Sequence, residues 1–240
     1  MMIDVVATPR DIRPDHAGAI FVVIDVMRAT TSMVTALSNG ARMFVPVTDY
    51  DAARALKTGP DILLCGEEMG KPLPDFDLSN SPREYQPDVV QDKILVQCTS
   101  NGTKAIAACA AASEVIAAAF INMQAVCAYL RHVKTDIVCV CSGERGKLSL
   151  EDFLCAGNIV DNLAVRASDP ACAARLAYQS CRDTLYETMR DSEWGSYIAS
   201  IGYADDIQYC AQLNSVDIVP KIQFNPCNSP YSIVATTHIR

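Results

Sequence analysis

One short stretch of the sequence brings a carboxylate, a guanidinium and three hydroxyl groups to the point where a predicted strand meets a predicted helix. The apolar run 19–24 predicts a buried strand, and Asp25 and Arg28 follow it. The hydroxyl residues 30–32 then open a helical pattern. The first N–H groups of a helix lack internal partners and carry partial positive charge, so anions bind there. Because the guanidinium of Arg28 also matches phosphate, carboxylate or sulfonate oxygens, we predict an anion site at this junction.

Asp25 places a further requirement on this site, because its carboxylate repels an anion. A divalent cation such as Mg²⁺ would remove that repulsion by binding both the carboxylate of Asp25 and the anion, because Mg²⁺ prefers oxygen ligands. The alternative is that Asp25 and Arg28 form an ion pair with each other, while Thr30 or Thr31 only caps the helix. Both interpretations are compatible with these residues alone.

Polar loops also follow three further predicted strands. They are rich in Gly, Ser, Asn and charged residues: 66–71 and 76–82 after strand 61–65, 99–103 after strand 93–98, and 142–146 after strand 136–141. The loop that opens the helix at residue 102 has the composition of a phosphate cradle. Each loop alone is also typical of an ordinary turn. Because ligands bind beyond the carboxyl ends of parallel strands, four such strand ends together predict one shared crevice.

Apolar runs of strand length alternate with Ala-rich helical patterns through most of the first 141 residues. This alternation predicts an α/β fold with a mostly parallel sheet covered by helices on both faces. From residue 149 onward the pattern is mainly helical, beginning with a capping-box pattern at 149–152. We treat residues 1–240 as a single domain. The alternative of one domain with two lobes is left open. The other predicted elements are strands at 42–47, 114–118, 216–222 and 232–236, helices at 49–57, 102–112, 122–131, 170–190, 192–200 and 205–213, and a loop or tail around 225–228.

Composition and charge exclude several classes of protein. The chain carries 20 basic and 28 acidic side chains, a formal net charge of -8, which argues against non-specific binding of nucleic acid or of an anionic membrane surface. The N-terminus lacks the pattern of a signal peptide, and the most apolar long window, 105–121, is too short and too interrupted to span a bilayer. The 11 cysteines show no Cys-x-x-Cys spacing, so neither a zinc site nor a redox dithiol is indicated. We expect a cytoplasmic protein with reduced, mostly buried thiols.

Three familiar catalytic motifs are not fulfilled. Residues 75–79 imitate the Asp-x-Asp signature of aspartyl-phosphate phosphatases, but they follow a proline-containing segment where that chemistry needs a buried strand. The Cys-x5-Arg motif of tyrosine phosphatases is absent, because lysine stands at the arginine position after Cys98 and after Cys141. The segment 66–71 is one residue short of a P-loop, and Pro72 follows it.

Several blocks of the sequence resemble, in the same order, the ComB family of 2-phosphosulfolactate phosphatases. The blocks are VIDVMRAT at 23–30, GE at 66–67, FDLSNSP at 76–82, TSNGT at 99–103, CSG at 141–143 and LED at 150–152, with DDIQYC at 205–210 and IVP at 218–220 further on. The departures from the family pattern are conservative. Met27 stands where Leu is usual, and residues 98–100 read CTS where a run of threonines is common.

The resemblance implies a three-layer α/β/α fold with a more helical C-terminal third, and a Mg²⁺-dependent phosphatase. The implied reaction is hydrolysis of 2-phospho-3-sulfolactate to 3-sulfolactate and phosphate, a step towards coenzyme M. A similar phosphorylated hydroxy acid is the alternative substrate. The expected partner is therefore a small phosphorylated sulfonate or hydroxy acid. We expect binding to neither nucleic acid nor a membrane. A homodimer is also compatible with the resemblance.

We hypothesise a role for each candidate residue of this site. Asp25 and Arg28 are the expected catalytic residues, and Asp25 would orient or deprotonate the attacking water for direct transfer without a phosphoenzyme. Mg²⁺ would be held, directly or through water, by Asp25, Glu67 and either Glu151 or Asp152. The phosphoryl oxygens would be bound by Arg28, Thr99, Ser100, Asn101, Gly102 and Thr103. The carboxylate and sulfonate of the substrate would be bound by Lys71, Asn80, Ser81, Ser142, Gly143 and Arg145.

Two other functions are compatible with the same residues. A non-catalytic protein could sense an organic phosphate or sulfonate through the same backbone amides and Arg28. A phosphotransferase or lyase could act on a related phospho-acid. Phosphate release with and without Mg²⁺ distinguishes the binding protein from an enzyme, and product analysis distinguishes the other two reactions.

Overall fold

A mixed sheet with helices on both faces forms the framework of the protein. The structure, a computed structural model, describes residues 1–225 and 233–237. The strands are β1 (Met2–Val6), β2 (Ile20–Ile24), β3 (Met43–Val47), β4 (Ile62–Glu68), β5 (Lys71–Pro72), β6 (Ile94–Cys98), β7 (Glu114–Ala118), β8 (Ile137–Cys141), β9 (Arg166–Ala167), β10 (Pro220–Phe224) and β11 (Ile233–Thr237). The α-helices are α1 (Ala29–Ser38), α2 (Tyr50–Leu56), α3 (Pro87–Val90), α4 (Gly102–Ala108), α5 (Met123–Leu130), α6 (Leu150–Leu163), α7 (Asp169–Cys181), α8 (Leu185–Arg190), α9 (Glu193–Ser200) and α10 (Ala204–Cys210).

Two groups of parallel strands make up most of the sheet. One group has the order β9-β1-β8-β2-β7, and the other has the order β3-β6-β4. The antiparallel pair β10 and β11 joins the groups by pairing with β7 on one side and β3 on the other, and β5 extends the second group antiparallel to β4. The predicted three-layer α/β/α fold with a mostly parallel sheet is confirmed, and the late strands lie in the middle of the sheet.

The antiparallel pair reverses the direction of one parallel group relative to the other, yet the carboxyl ends of β2 and β6 meet. A Cβ atom on Gly102, just after β6, would lie 2.6 Å from Oδ2 of Asp25, the residue after β2. Strand twist rotates each neighbouring pair by about 20–25°, so five steps accumulate about 100–125°. A rotation of this size allows strand ends that would lie at opposite edges of a flat sheet to approach each other.

Both faces of β2 are buried. Phe21 and Val23 face a core that includes residues of α1 and α4, while Ile20, Val22 and Ile24 belong to a second core that includes residues of α5 and α6. A strand that is buried on both faces is apolar throughout, which explains the unbroken apolar run before the first site residues. A smaller core beneath α2 covers the other face of β3, β4 and β6.

Several elements differ from the predicted ones in kind, since β1, β5, β9 and α3 are not among the predicted elements and one predicted helix is divided. The pattern does not predict β1, because Asp4 interrupts its apolar residues. Asp4 is buried, and its carboxylate contacts Arg13 at 3.0 Å and His16 at 3.1 Å, so the charge is accommodated inside the sheet. The helix predicted at 170–190 is two helices, α7 and α8, which a 3-10 turn at Arg182–Thr184 separates.

Other boundaries shift by a few residues. The helix predicted at 102–112 ends at Ala108, and the strand predicted at 216–222 is Pro220–Phe224. The predicted loop or tail around 225–228 lies, apart from its first residue, outside the described residues. None of the helices that the structure describes is long and apolar enough to cross a bilayer.

Helix α6, which carries two acidic candidates, packs closely against α7. A Cβ atom on Gly157 would lie 2.1 Å from the carbonyl oxygen of Ala174 and 3.0 Å from Cβ of Tyr178. The first distance is well inside van der Waals contact, so a side chain at this position forces the helices apart. Glycine at 157 therefore sets the spacing of the two helices and, with it, the position of the start of α6.

We expect Gly157→Ala to lower the free energy of unfolding by about 3 kcal/mol, a typical cost of overpacking a core. Helix propensity alone predicts the opposite sign, since alanine favours a helix over glycine by about 1 kcal/mol. Gly59→Ala is the matched control, because no atom lies within 4 Å of a Cβ at that position. Urea denaturation measures both, and a Gly157→Ala protein as stable as wild type would contradict the close packing.

Candidate active site

The carboxyl ends of β2, β4, β6 and β8 open into one cleft, which the starts of α6 and α9 complete. The four loops that were expected to share a crevice therefore lie together in the structure. The described residues that line the cleft are Asp25, Met27, Arg28, Glu67, Met69, Gly70, Asn80, Ser100, Asn101, Ser142, Gly143, Glu144, Ser149, Glu151, Asp152 and Trp194.

The first turn of α1 holds Asp25 in place. Oδ1 of Asp25 accepts a hydrogen bond from the N–H of Ala29 at 3.1 Å, and the N–H of Asp25 donates to Oγ1 of Thr30 at 3.0 Å. Oγ1 of Thr30 also lies 2.8 Å from the carbonyl oxygen of Ala118 in β7. The carboxylate is buried, so these bonds present it to the cleft in one orientation.

Arg28 is buried beside the cleft, but its partner is not Asp25. Nη1 of Arg28 donates to Oδ2 of Asp206 at 2.7 Å, and Nη2 donates to the carbonyl oxygen of Gly70 at 2.6 Å. Its central carbon lies 4.3 Å from the ring centroid of Tyr203. The alternative in which Asp25 and Arg28 pair with each other is wrong. These bonds occupy two of the five N–H donors of an arginine.

Glu67 connects the end of β4 to two neighbouring loops. Its Oε1 accepts from the N–H of Ser100 at 2.8 Å, and its Oε2 accepts from the N–H of Gly70 at 2.5 Å. Gly66 permits the close approach of β4 to β6, because its φ is +145° and a Cβ there would lie 1.9 Å from the carbonyl oxygen of Cys98. The two carboxylate oxygens of Glu67 therefore hold the loops after β4 and β6 next to each other in the cleft wall.

The two acidic residues in the first turn of α6 have different surroundings. Asp152 accepts from the N–H of Val26 at 2.8 Å, in the loop after β2. It also accepts from Oγ of Ser142 at 2.9 Å and from the N–H of Gly143 at 3.2 Å, in the loop after β8. Glu151 is 2% exposed, and its Oε2 is buried without a hydrogen-bond partner among the described residues. Such an oxygen is costly to bury unless a ligand or cation binds it.

Burial raises the pKa of several carboxyl groups in the cleft. Burial and, second, the charge of Glu67 raise the pKa of Asp25 to about 6, although the hydrogen bond from Ala29 opposes the rise. Burial likewise raises the pKa of Glu151 to about 7. The pKa of Asp152 is raised by burial and by the charges of Asp25 and Glu151. Each rise means that the ionised form is unfavourable until positive charge arrives.

The expected phosphate-binding residues divide into two sets. Those that line the cleft are Arg28, Ser100 and Asn101. The others lie behind its wall. Oγ1 of Thr103 donates to the carbonyl oxygen of Thr99 at 3.1 Å, so these hydroxyl residues stabilise the start of α4. Gly102 provides the close approach to Asp25 described above, and it acts through the absence of a side chain.

The expected metal and substrate residues divide in the same way. Those that line the cleft are Asp25, Glu67, Glu151, Asp152, Asn80, Ser142 and Gly143. Lys71 is exposed in β5, and Oγ of Ser81 donates to Oδ1 of Asp206 at 2.6 Å. The exposed side chain of Arg145 pairs with Glu144 at 3.3 Å, at the rim of the cleft.

The structure adds residues that were not among the expected ones. Glu144 is half-buried, its Oε2 accepts from Nδ2 of Asn101 at 2.6 Å, and burial raises its pKa. Nε1 of Trp194 donates to the carbonyl oxygen of Met27 at 2.9 Å. A sequence signal for Glu144 exists, because it lies in the polar loop 142–146 that follows a predicted strand. No local pattern marks Trp194. The other additions to the cleft wall are Met27, Met69, Gly70 and Ser149, with Asp206 behind it.

The donor chemistry of the cleft suits a hard divalent cation, although no ligand set is preassembled. Within residues 1–225 and 233–237, no three acidic, histidine or cysteine side chains converge in a way that could hold a metal ion. Mg²⁺ usually keeps several waters and is held by one or two carboxylates together with phosphate oxygens of a substrate, so it does not require such a cage. The unpartnered Oε2 of Glu151 and the buried carboxylate of Asp25 are oxygen donors of this kind.

The chain is similar to known proteins along most of its length. The family model described as 2-phosphosulpholactate phosphatase matches residues 6–225. A probable 2-phosphosulfolactate phosphatase of Pseudothermotoga lettingae is 41% identical over 220 residues, which cover 91% of this chain and 95% of that protein. The proteins of the same description from Clostridium perfringens (strain SM101) and Thermotoga maritima are 38% and 41% identical, over 84% of this chain and over 85% and 88% of theirs. The chain therefore belongs to the 2-phosphosulpholactate phosphatase family.

Proposed function

We propose that this protein hydrolyses 2-phosphosulfolactate to 3-sulfolactate and phosphate. Family membership supports the proposal, and one observation about the cleft carries it. Among the described residues that line the cleft, five are acidic and the guanidinium of Arg28 is the one fixed positive charge. A cleft of this composition repels a phosphate ester unless a divalent cation enters with it. The acidic residues are Asp25, Glu67, Glu144, Glu151 and Asp152.

Mg²⁺ is the proposed cation, with Asp25 and Glu151 as its direct protein ligands. The support is the unpartnered Oε2 of Glu151 and the raised pKa of both carboxyl groups, which reflects burial without matching positive charge. Glu67 and Asp152 are proposed to act through water or through the loops they hold, because their oxygens accept hydrogen bonds from backbone N–H groups. A bound divalent cation neutralises phosphoryl charge and lowers the pKa of a water ligand.

Arg28, Ser100 and Asn101 are the proposed donors to the phosphoryl oxygens. Oγ of Ser100 lies 3.4 Å from Oε2 of Glu67, a loose contact that a phosphoryl oxygen can replace. Hydrolysis of a phosphate monoester requires an acceleration of up to ~10²¹-fold, roughly 28 kcal/mol. A charge-assisted hydrogen bond contributes only about 1.5–3 kcal/mol, so several donors must act together with the cation.

Asp25 is the proposed base, and water is the proposed nucleophile. The oxygen of water attacks phosphorus while the bond from phosphorus to the ester oxygen breaks. Water gives one proton to Asp25 and keeps the other as the hydroxyl of the released phosphate, and the proton on Asp25 then passes through solvent to the ester oxygen, which becomes the hydroxyl of 3-sulfolactate and leaves Asp25 ionised again. The neighbouring thiols are poor nucleophiles, because burial raises the pKa of Cys98 to about 12 and that of Cys141 well above its ordinary value.

Asn80, Ser142 and Gly143 are the proposed contacts for the carboxylate and sulfonate of the substrate. Oδ1 of Asn80 accepts from Nε2 of Gln97 at 2.9 Å, which leaves the amide N–H groups of Asn80 as donors. Arg145 adds positive charge at the rim, where its Nη2 lies 3.7 Å from Sδ of Met69. The two acidic groups of the substrate would therefore lie between these polar groups and the rim.

A cytoplasmic location and a homodimer belong to the same proposal. The ten cysteines in the described part of the chain are free thiols, and eight of them are buried, which supports a reducing compartment. Size-exclusion chromatography with light scattering tests the expected homodimer. The product 3-sulfolactate would serve a coenzyme M type of biosynthesis.

Phosphate release tests the proposed function directly. The purified protein is incubated with 2-phosphosulfolactate or with an aryl phosphate, with and without Mg²⁺. We expect rapid release of phosphate from 2-phosphosulfolactate when Mg²⁺ is present, and loss of release when it is chelated. An absence of release with every metal would favour a binding protein, and a product other than 3-sulfolactate would favour a phosphotransferase or lyase.

We expect Asp25→Asn to lower kcat by about 10³-fold or more, because it removes the proposed base and a ligand of the cation. The fold should be retained, since an asparagine oxygen can still accept from the N–H of Ala29. Asp88→Asn, at an exposed position in α3, is the matched control and should keep the wild-type rate. A near-wild-type kcat for Asp25→Asn would remove Asp25 from the mechanism.

The raised pKa of Asp25 also predicts how stability depends on pH. The pKa of about 6 in the folded protein lies above the ordinary 3.8, so between these values the folded protein holds a proton that the unfolded chain has lost. The free energy of unfolding of the metal-free protein should therefore fall as pH rises through this window, by about 3 kcal/mol for this group.

Comparison of wild type with Asp25→Asn isolates this contribution. Urea denaturation without metal should find the two equally stable near pH 4 and the variant more stable at pH 8. Added Mg²⁺ should reduce the difference at pH 8, because the cation offsets the charge in wild type alone. A wild-type protein that is the more stable of the two at pH 8 without metal would show that the ionised carboxylate is not unfavourable there.

A further inference from the structure

We propose that Asp206 is a positioning residue, which orients Arg28 toward the bound phosphoryl group. The inference rests on the proposed function, in which Arg28 contacts the phosphoryl oxygens. Asp206 lies in the first turn of α10, 178 residues from Arg28, and its Oδ2 accepts from Nη1 of Arg28 at 2.7 Å. Both side chains are 1% exposed, so water does not compete for this contact.

Three contacts hold the guanidinium of Arg28 in one orientation. Asp206 accepts from Nη1, the carbonyl oxygen of Gly70 accepts from Nη2, and the ring of Tyr203 lies against the face of the group. Two hydrogen bonds in the plane fix its direction, and the aromatic contact fixes its tilt. The N–H groups that remain have a defined direction, and Arg28 lines the cleft.

Asp206 is held in turn by residues from another part of the chain. Its Oδ1 accepts from Oγ of Ser81 at 2.6 Å, in the loop that follows β4 and β5. The turn that contains Gly70 is closed from the other side, since a Cβ on Gly70 would lie 2.9 Å from Cδ1 of Ile201, just after α9. The helices α9 and α10 therefore support the anion-binding group of a site built on distant strands.

A purely stabilising role accounts less well for this arrangement. A buried ion pair adds little stability compared with apolar residues of similar volume, because the loss of hydration offsets the attraction. Directional control is what a buried, doubly anchored guanidinium provides. Residues that orient a ligand-binding group change affinity or activity by about 10–100-fold when they are replaced, since a shift of about 1 Å suffices.

The first test compares Asp206→Asn with Asp205→Asn. Asp205 is its neighbour in the same helical turn, but the carboxylate of Asp205 pairs with the exposed Arg83 at 2.9 Å. We expect Asp206→Asn to weaken binding of inorganic phosphate, measured by calorimetry with Mg²⁺, by about tenfold or more, and to lower kcat/KM by about 10–100-fold. Asp205→Asn should change neither by more than about twofold.

Ser81→Ala provides a milder variant that keeps both buried charges. It removes only the hydrogen bond to Oδ1 of Asp206, so we expect losses of about two- to fivefold in phosphate affinity and in kcat/KM. This variant decides the question if Asp206→Asn does not fold. Wild-type phosphate affinity in Ser81→Ala would then count against the proposal.

Chemical rescue distinguishes orientation from stability. Guanidinium ion added to Arg28→Ala should restore part of the phosphate binding and turnover, because Asp206 and the carbonyl of Gly70 hold it in the vacated space. The double variant Arg28→Ala, Asp206→Asn should show about tenfold less rescue or none. Equal rescue in the two proteins, or an Asp206→Asn protein that loses thermal stability alone, overturns the proposal.

Failure of this inference differs from failure of the proposed function. If wild type releases no phosphate from 2-phosphosulfolactate, the proposed function is wrong, and the phosphate-binding comparison alone decides the role of Asp206. If wild type is active and Asp206→Asn binds phosphate and turns over at wild-type levels, the proposed function stands and the positioning role is wrong.

Discussion

Burial of negative charge without matching positive charge is the constraint on which the rest of this structure depends. Five acidic side chains line one cleft, and the guanidinium among them is already paired with Asp206. Water cannot solvate these groups fully, which is why burial raises the pKa of Asp25 and Glu151. Backbone N–H groups donate hydrogen bonds to some of these carboxylate oxygens, whereas other oxygens have no donor and are left for a bound ligand or cation.

The same hydrogen bonds that satisfy these carboxylates also join parts of the fold. Asp152 links the loops after β2 and β8, and Glu67 links the end of β4 to the loop after β6. Each bond therefore serves two purposes, since it stabilises a buried carboxylate and fixes the distance between two strand ends. Site geometry and local stability cannot be varied independently at these residues.

The predictable part of the site is the part that local pattern encodes. A polar residue at or just after the end of an apolar strand must lie at the carboxyl edge of the sheet, so the place of Asp25 and Glu67 beside the cleft is predictable from the sequence. Thr103 also follows a strand, but its hydroxyl bonds to the backbone one turn earlier, and composition does not distinguish that outcome from a ligand contact. The pairing of Arg28 with Asp206 spans 178 residues, and β10 and β11 likewise pair with strands far earlier in the chain, β7 and β3. No spacing rule reports such contacts.

The central place of β10 and β11 has a consequence for how the polypeptide is made. These strands follow every other described element in the chain, yet they join the two parallel groups by pairing with β7 and β3. While a ribosome is still extending the chain, β3 and β7 present unpaired edges of the kind that recruit other molecules. Asp25 from one group and Glu67 from the other can thus be brought into one cleft only after β10 and β11 have been synthesised, and until then these edges are open to pairing with other strands.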